Sequence, residues 1–254
     1  MSWQLKRQLL FLGVFALLLL AVAGALYYAS RPAPSCFDKI KNQDETGVDC
    51  GGSQCAVCLD ENPKDLIVLW TRFFEVRPGV YDVAALIENP NVLSGAKSMP
   101  YQFKLMDADN STIVSRRGDA YVLADERFLI FEPGLIVGGV QRPKRVVFDI
   151  KDFTWVPSRH QEPPLRIVHT ERMFEGDRPR FTLMLKNETI FDVKGIDVSA
   201  VVSDTEGNAV AVAASRVDKV ADSAEEAVVF TWPFPFPQNR TIMQVEPFVR
   251  RNPW

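Results

Sequence analysis

All four cysteines of this chain fall between Cys36 and Cys58, spaced C-x13-C-x4-C-x2-C. Thiols at this spacing can do three kinds of chemistry. Oxidised, they staple a local loop, as exported proteins commonly do. Reduced, four thiolates can hold zinc in a tetrahedron, although such sites usually come as two close pairs and Cys36 stands alone. Cys55 and Cys58 also form a C-x-x-C, the spacing of thiol–disulfide exchange, which calls for a βαβ setting. The Arg31-Pro32-Ala33-Pro34 stretch before the cluster reads as loop instead. Disulfide bonding of Cys36, Cys50, Cys55 and Cys58 is the expectation, with three connectivities open. A thiol–disulfide or metal-dependent activity centred on Cys55 and Cys58 is the alternative.

Between the first two cysteines lie Asp38, Asn42, Asp44, Glu45 and Asp49, with Gly47, Gly51 and Gly52 supplying turns. Calcium takes six to eight oxygens from clustered carboxylates and carbonyls, and this set could offer them. The spacing is not that of an EF-hand loop. The competing reading, and the favoured one, is that the Asp and Asn side chains cap turns.

Other candidates for chemistry are sparse. Gly-x-Ser-x-Gly, Gly-x-Gly-x-x-Gly, P-loop and His-Glu-x-x-His motifs are absent. His160 and His169 are the two histidines, which excludes histidine-rich metal catalysis. His169 is expected to take a packing position. Asp107/Asp109 and Glu225/Glu226 sit in expected turns and read as solvated faces rather than a glycosidase pair. The net charge of −3 argues against a nucleic-acid partner. The segment Trp232-Pro233-Phe234-Pro235-Phe236-Pro237 alternates aromatics with prolines, which suits an extended edge or loop. Trp232, Phe234 and Phe236 could dock into a partner groove. Capping a core from one side is the favoured reading. Asn110, Asn187 and Asn239 each begin an Asn-x-Ser/Thr acceptor sequence.

The residues from Cys36 to Cys58 resemble a small cysteine-rich motif of exported and cell-surface proteins, C-x-D-x-x-x-N-x-x-E-T-x-x-D-C-G-G-x-x-C-x-x-C. The resemblance implies an extracytoplasmic module beside a membrane anchor or between domains, and no catalytic activity. Lys39 replaces the glycine often seen at its position.

The elements that must carry these residues follow from patterning. Leu9 to Tyr28 is free of charge, follows Lys6 and Arg7, and ends on Tyr27 and Tyr28. About twenty apolar residues span a ~30 Å hydrocarbon core as a helix. The basic flank places the N-terminus in the cytoplasm and the rest outside. A cleaved signal peptide, cut after Ala23 or Ala25, is the competing reading.

From Leu66 onward, short alternating apolar runs are separated by turn residues, and no helix of core length intervenes. The layout recurs. Phe181, Leu183 and Leu185 end at Asn187 as Val83, Ala85 and Ile87 end at Asn89. Asp204 to Gly207 follows Asp107 to Asn110 at nearly the same interval, and His169-Thr170 follows Trp70-Thr71 likewise. A period of roughly one hundred residues is that of one immunoglobulin-like sandwich. The second half, with Phe191-Asp192-Val193 and Asp204-x-x-Gly207-x-x-Val210, resembles FxLYD-type domains of exported proteins, and the first half does so more loosely. The whole order of parts resembles single-pass bacterial surface proteins.

The expected fold is mainly β: two tandem antiparallel immunoglobulin-like β-sandwiches after an N-terminal transmembrane helix and a short disulfide-rich segment. The boundaries are 1–30 for the tip and anchor, 31–62 for the cysteine-rich stalk, and 63–157 and 164–254 for the sandwiches. Pro157, Pro163 and Pro164 mark a stiff linker. The expected function is a structural, adhesive or partner-binding role without catalysis. The partners would be the membrane, through residues 9–28, and an envelope or surface protein or a glycan. A secreted ligand-binding module is the reading if the N-terminal segment is cleaved.

Overall fold

The computed structural model of the chain describes residues 3–29, 35–139, 142–174, 178–236 and 242–254. They form two compact units, Met1–Ala56 and Val57–Trp254. Helix α1 covers Trp3–Ala29 and carries no acidic residue in its first turn. It is rich in Leu and Ala, both strong helix formers. Lys6–Tyr28 is long and apolar enough to cross a membrane, and none of it is buried. The Arg7 guanidinium lies 5.5 Å from the Trp3 ring centre and 5.9 Å from that of Phe11, one turn away on either side. A helix that is apolar all round and exposed along its length has a hydrophobic medium as its natural surroundings. An anchor and a signal sequence both meet that description.

The second unit is antiparallel β throughout its paired strands. Its strands are β1 (Ile67–Arg77), β2 (Val80–Asn89), β3 (Ser94–Met106), β4 (Thr112–Val122), β5 (Glu126–Ile136), β6 (Arg145–Ile150) and the short β7 (Val156–Pro157), then β8 (Leu165–Met173), β9 (Arg180–Asn187), β10 (Val193–Asp204), β11 (Ala209–Val220), β12 (Glu225–Thr231) and β13 (Ile242–Arg251). The first seven make two sheets, ordered β1-β2-β5 and β4-β3-β6, with β7 paired to the start of β3. The last six make two more, ordered β8-β9-β12 and β11-β10-β13.

Each half has its own core between its two sheets. In the first, Val83, Ala85 and Ile87 of β2 meet Met99, Phe103 and Leu105 of β3, with Phe128 and Ile130 from β5. In the second, Phe181, Leu183 and Leu185 of β9 meet Ile196, Val198 and Ala200 of β10, with Val228 and Phe230 from β12. The rings of Phe181 and Phe230, directly paired across β9 and β12, stack with centres 6.2 Å apart. Period-two alternation puts one side-chain set on each core face, which is why these runs are legible as strands.

A third apolar layer joins the halves. Ala84 and Leu86 of β2 and Leu129 of β5 pack with Val201 of β10, Ala209 and Val212 of β11 and Phe248 of β13, and Trp70, Phe74 and Phe131 flank them. The outer face of sheet β1-β2-β5 therefore lies on the outer face of sheet β11-β10-β13. The halves succeed each other in sequence but fold back to make four sheets with three apolar layers between them. The linker packs rather than spans: Ser158 N donates to Leu93 O, and Ala124 N donates to Ser158 Oγ.

Both halves turn the same corner. Asn89, fully buried at the end of β2, donates through Nδ2 to Ser94 O and Leu123 O, while its Oδ1 accepts from the Asn91 backbone N–H. Asn187, fully buried at the end of β9, donates to Phe191 O, Val220 O and Ala221 O, and accepts from Thr189 N–H. The β3–β4 turn is held by Asp107 Oδ1 accepting from Asp109 and Ser111 N–H, with Asn110 at φ 62°. The β10–β11 turn is held by Asp204 Oδ1 accepting from Glu206 and Asn208 N–H, with Gly207 at φ 78°.

Candidate functional site

The cysteine segment is a loop organised by its carboxylates. Asp38 Oδ1 accepts from Ile40 N–H, and its Oδ2 accepts from Ser35 N–H and from Asn42 Nδ2. Asp49 accepts from Lys39 N–H, and Asp44 Oδ2 accepts from Ser53 N–H at 2.7 Å. Glu45, itself buried, accepts through Oε2 from Asn42 and Asp49 N–H. The side-chain bond from Asn42 and the backbone bonds from Ser35 and Ile40 hold the Asp38 carboxyl below its ordinary pKa. The bond from Ser53 does the same for Asp44.

Cys36 and Cys55 form a disulfide, and Cys50 and Cys58 are disulfide-bonded as well. Among the described residues, the metal-capable atoms that gather within 4.8 Å are those of Cys36, Glu45 and Cys55. Two of these three donors are joined to each other as a disulfide. The Cys55 Sγ contact at 3.2 Å from Glu45 Oε1 is likewise no hydrogen bond, because a disulfide sulfur carries no proton. What Asp38, Asn42, Asp44, Glu45 and Asp49 do in this geometry is bond to backbone N–H groups and to neighbouring side chains.

Backbone constraints explain the glycines. A Cβ on Gly51 would stand 1.8 Å from Thr46 Oγ1, and its φ is +83°. Lys39 adopts φ 61°, a left-handed conformation in which a side chain costs about 1 kcal/mol. That is the position where glycine is common in the resembling motif.

The aromatic–proline segment divides. Trp232 and Phe236 are half-buried: Trp232 Nε1 donates to Val212 O, and the Phe236 ring meets those of Trp232 and Phe174 at 5.2 and 5.5 Å. Trp232 packs against the second core, and Phe236 rests on Trp232 and Phe174, which also packs there. Phe234 points outward, and Pro237 lies outside the described residues.

His169 is exposed on β8 rather than packed. Its counterpart Trp70 flanks the layer between the halves, whereas the β8 residues around His169 are exposed, with no sheet of the described residues packed over them. His160 Nδ1 lies 3.3 Å from Ala124 O, and its Nε2 is 3.8 Å from Glu162. Asn110 is exposed in its turn. Asn187 is fully buried, which closes its acceptor sequence to glycosylation in the folded chain. Asn239 lies outside the described residues.

The joint between the halves is where sequence reasoning missed the most. Arg250 of β13 donates through Nε and Nη2 to Glu126 of β5 at 3.0 and 2.6 Å, and through Nη2 to Tyr121 O. Its guanidinium lies 4.2 Å from the Tyr121 ring centre and 4.4 Å from that of Phe128. Both side chains of this ion pair are nearly buried. Tyr121 OH donates to Asp197 Oδ2, and Arg72 Nη2 to Asn208 Oδ1. Burial holds the Tyr121 phenol well above its ordinary pKa, so it stays protonated and donating.

Beside this joint is an open cleft of about 560 Å³, lined by β4, β5, β10, β11 and β13 residues that include Asp119, Leu129, Phe131, Asp197 and Arg216. A second, of about 710 Å³, opens between Trp70–Phe74 and Ala209–Val210. The signal available in sequence was the unbroken apolar run Val83-Ala84-Ala85-Leu86-Ile87, echoed by Ala200-Val201-Val202. A strand wet on one face alternates, whereas a strand buried on both does not.

No protein-family model matches this chain, and no curated protein matches it. Solved structures that resemble it include a beta-glucuronidase of glycoside hydrolase family 2, at 11% identity and a TM-score of 0.24 over 68% of this chain and 24% of that one. Another is red sea bream transglutaminase, at 10% identity and a TM-score of 0.22 over 66% and 27%. The chain spans about a quarter of either protein's length. Likenesses at this level bear on no functional assignment.

Proposed function

We propose that this chain is a membrane-tethered protein of the extracytoplasmic space that presents a four-sheet body to a partner and carries out no catalysis. The observation that carries the reading is a bare apolar helix followed at once by a loop whose cysteines are all bonded. Disulfides persist outside the cytoplasm, and the Lys6–Arg7 flank favours a cytoplasmic N-terminus. The two halves are read as copies of one immunoglobulin-like module. Their matching strand orders and their matching Asn89 and Asn187 corners support this.

The non-enzymatic part rests on the chemistry present. The thiols of the described residues are oxidised, His160 lies against Ala124 O and Glu162, and His169 stands exposed on a separate strand. The test is protease access in intact cells expressing the full chain with a C-terminal tag. Digestion of the tag from outside is the expected result, and a protected tag overturns the reading. Intact-mass measurement of the membrane-bound protein gives the full chain if the helix is an anchor, and a chain starting after Ala23 or Ala25 if it is a signal.

A further inference from the structure

The second cleft, of about 710 Å³, combines cations with aromatic rings and has no acidic residue in its lining. Residues Trp70 to Phe74 of β1 line it in succession. One face of a strand would supply every second residue, so the cleft follows the edge of β1. Among the described residues β1 pairs only with β2, which leaves main-chain N–H and C=O groups on that edge for a guest. Lys144 and Arg145 line the cleft from the start of β6.

Its three cations carry charge that no carboxylate of the described residues neutralises. Arg72 donates through Nη2 to a neutral partner, Asn208 Oδ1, and Arg145 Nη2 lies 3.4 Å from Met106 Sδ. Lys144 is exposed, and among the described residues it makes no ion pair. The acids of the adjoining turns are engaged elsewhere: Asp107 Oδ1 accepts from Asp109 and Ser111 N–H, and Glu206 accepts from Asn208 Nδ2. Trp70 is half-buried, and its indole N–H has no hydrogen-bond partner among the described residues. No buried side-chain nitrogen among them lacks a partner, so this N–H faces solvent.

We propose that the cleft binds an acidic oligosaccharide, with sugar rings against Trp70 and Phe74 and sugar carboxylates toward Arg72, Lys144 and Arg145. The C–H face of a sugar ring is apolar and its hydrogens are weakly positive, which suits the negative face of an aromatic ring. Sugar hydroxyls match the edge groups of β1 and the indole N–H, and guanidinium forks match carboxylates. Arg72 stands in the middle of the edge and guards it against an added peptide strand. The volume lies in the usual range of ligand sites, about 300–1,000 Å³. The proposal rests on the partner-binding reading above but not on membrane topology, so the two fail separately.

The test is titration calorimetry of the full chain in detergent micelles. The probes are tetragalacturonate and a hyaluronan tetrasaccharide, set against neutral maltotetraose and the acidic peptide hexaglutamate. The expected result is that an acidic sugar binds about tenfold tighter than either control. Lys144→Glu weakens that binding about fivefold and Trp70→Leu about tenfold, while Arg159→Glu, at an exposed cation outside the lining, leaves it unchanged. With the sugar bound, hydrogen exchange slows in Trp70–Phe74. Four results overturn the proposal: neither acidic sugar binds, a control binds equally well, binding is indifferent to Lys144→Glu, or exchange in Trp70–Phe74 is unchanged. The exchange measurement uses the natural sequence, so it stands even if a variant fails to fold.

Discussion

Strands β2 and β9 occupy the same place in their sheets, each flanked by two partners and each ending on a buried asparagine. Their burial differs. Inner residues Val83, Ala85 and Ile87 match Phe181, Leu183 and Leu185, all buried. Between them, Ala84 and Leu86 are buried too, whereas Thr182 and Met184 are only half-buried. The same backbone thus serves as an inner layer in one half and an outer layer in the other. What decides between them is the far face: β2 lies against the second half, and β9 faces outward. Strand position sets which residues point to the core, but stacking sets whether the opposite face must be apolar.

Substitutions can break this comparison, beginning where the two halves are locked. Arg250→Ala leaves Glu126 nearly buried without its partner, and losses of this kind are about 3–5 kcal/mol. Arg166→Ala, which removes an exposed pair with Glu188, costs less than about 1 kcal/mol. Chemical denaturation of the full chain in micelles separates the two. Leu86→Ala opens the layer between the halves and is expected to cost about 2–5 kcal/mol, while Met184→Ala at the matching position of β9 costs under about 1 kcal/mol. Equal losses would mean that the outer face of β2 is as wet as that of β9.

The corners sharpen the comparison from the other side, because here the halves agree. Asn89→Ala and Asn187→Ala each strand buried carbonyls, at roughly 1–3 kcal/mol. Their measured losses are expected to match within error, and a large difference would separate the two corners physically.

The smallest expected effect lies in the cysteine loop. Asp38 and Asp44 have lowered folded-state pKa values, so their contribution is present above the unfolded value of 3.8 and is lost as pH falls through the lowered folded values. Amide exchange at Ile40 and Ser53 is expected to quicken below about pH 4. The disulfides keep the loop closed throughout. Exchange that stays flat down to pH 2 would contradict the capping role.

Much of this was legible in residue order. Alternation at Phe103–Leu105 and Phe181–Leu185 marked strands because each has one dry face. Clustered cysteines marked the staple, and the charge-free run Leu9–Tyr28 marked the apolar helix. The loop's acids were legible as turn caps because Asp and Asn reach their own backbone two residues on. The layer between the halves was harder to see. Its pieces, Leu86, Leu129, Val201 and Phe248, are distant in sequence, and each reads locally as an ordinary strand residue. Arg250 gave no signal either, since a nearly buried arginine is recognised by its partners Glu126 and Tyr121 and not by its neighbours in the chain. His169 was misjudged for the same reason: its alignment with Trp70 conveys strand position, and among the described residues no sheet covers its side.

The most direct measurement is residue-level hydrogen exchange on the full chain carrying Leu86→Ala. Leu86 is in the first half, and Leu183 and Leu185 are deep in the second core. If the halves are one cooperative body, protection falls together at Phe103 and Phe128 in the first core and at Leu183 and Leu185 in the second. Protection lost in the first half alone, with the second core unchanged, would show two independent modules and contradict the account.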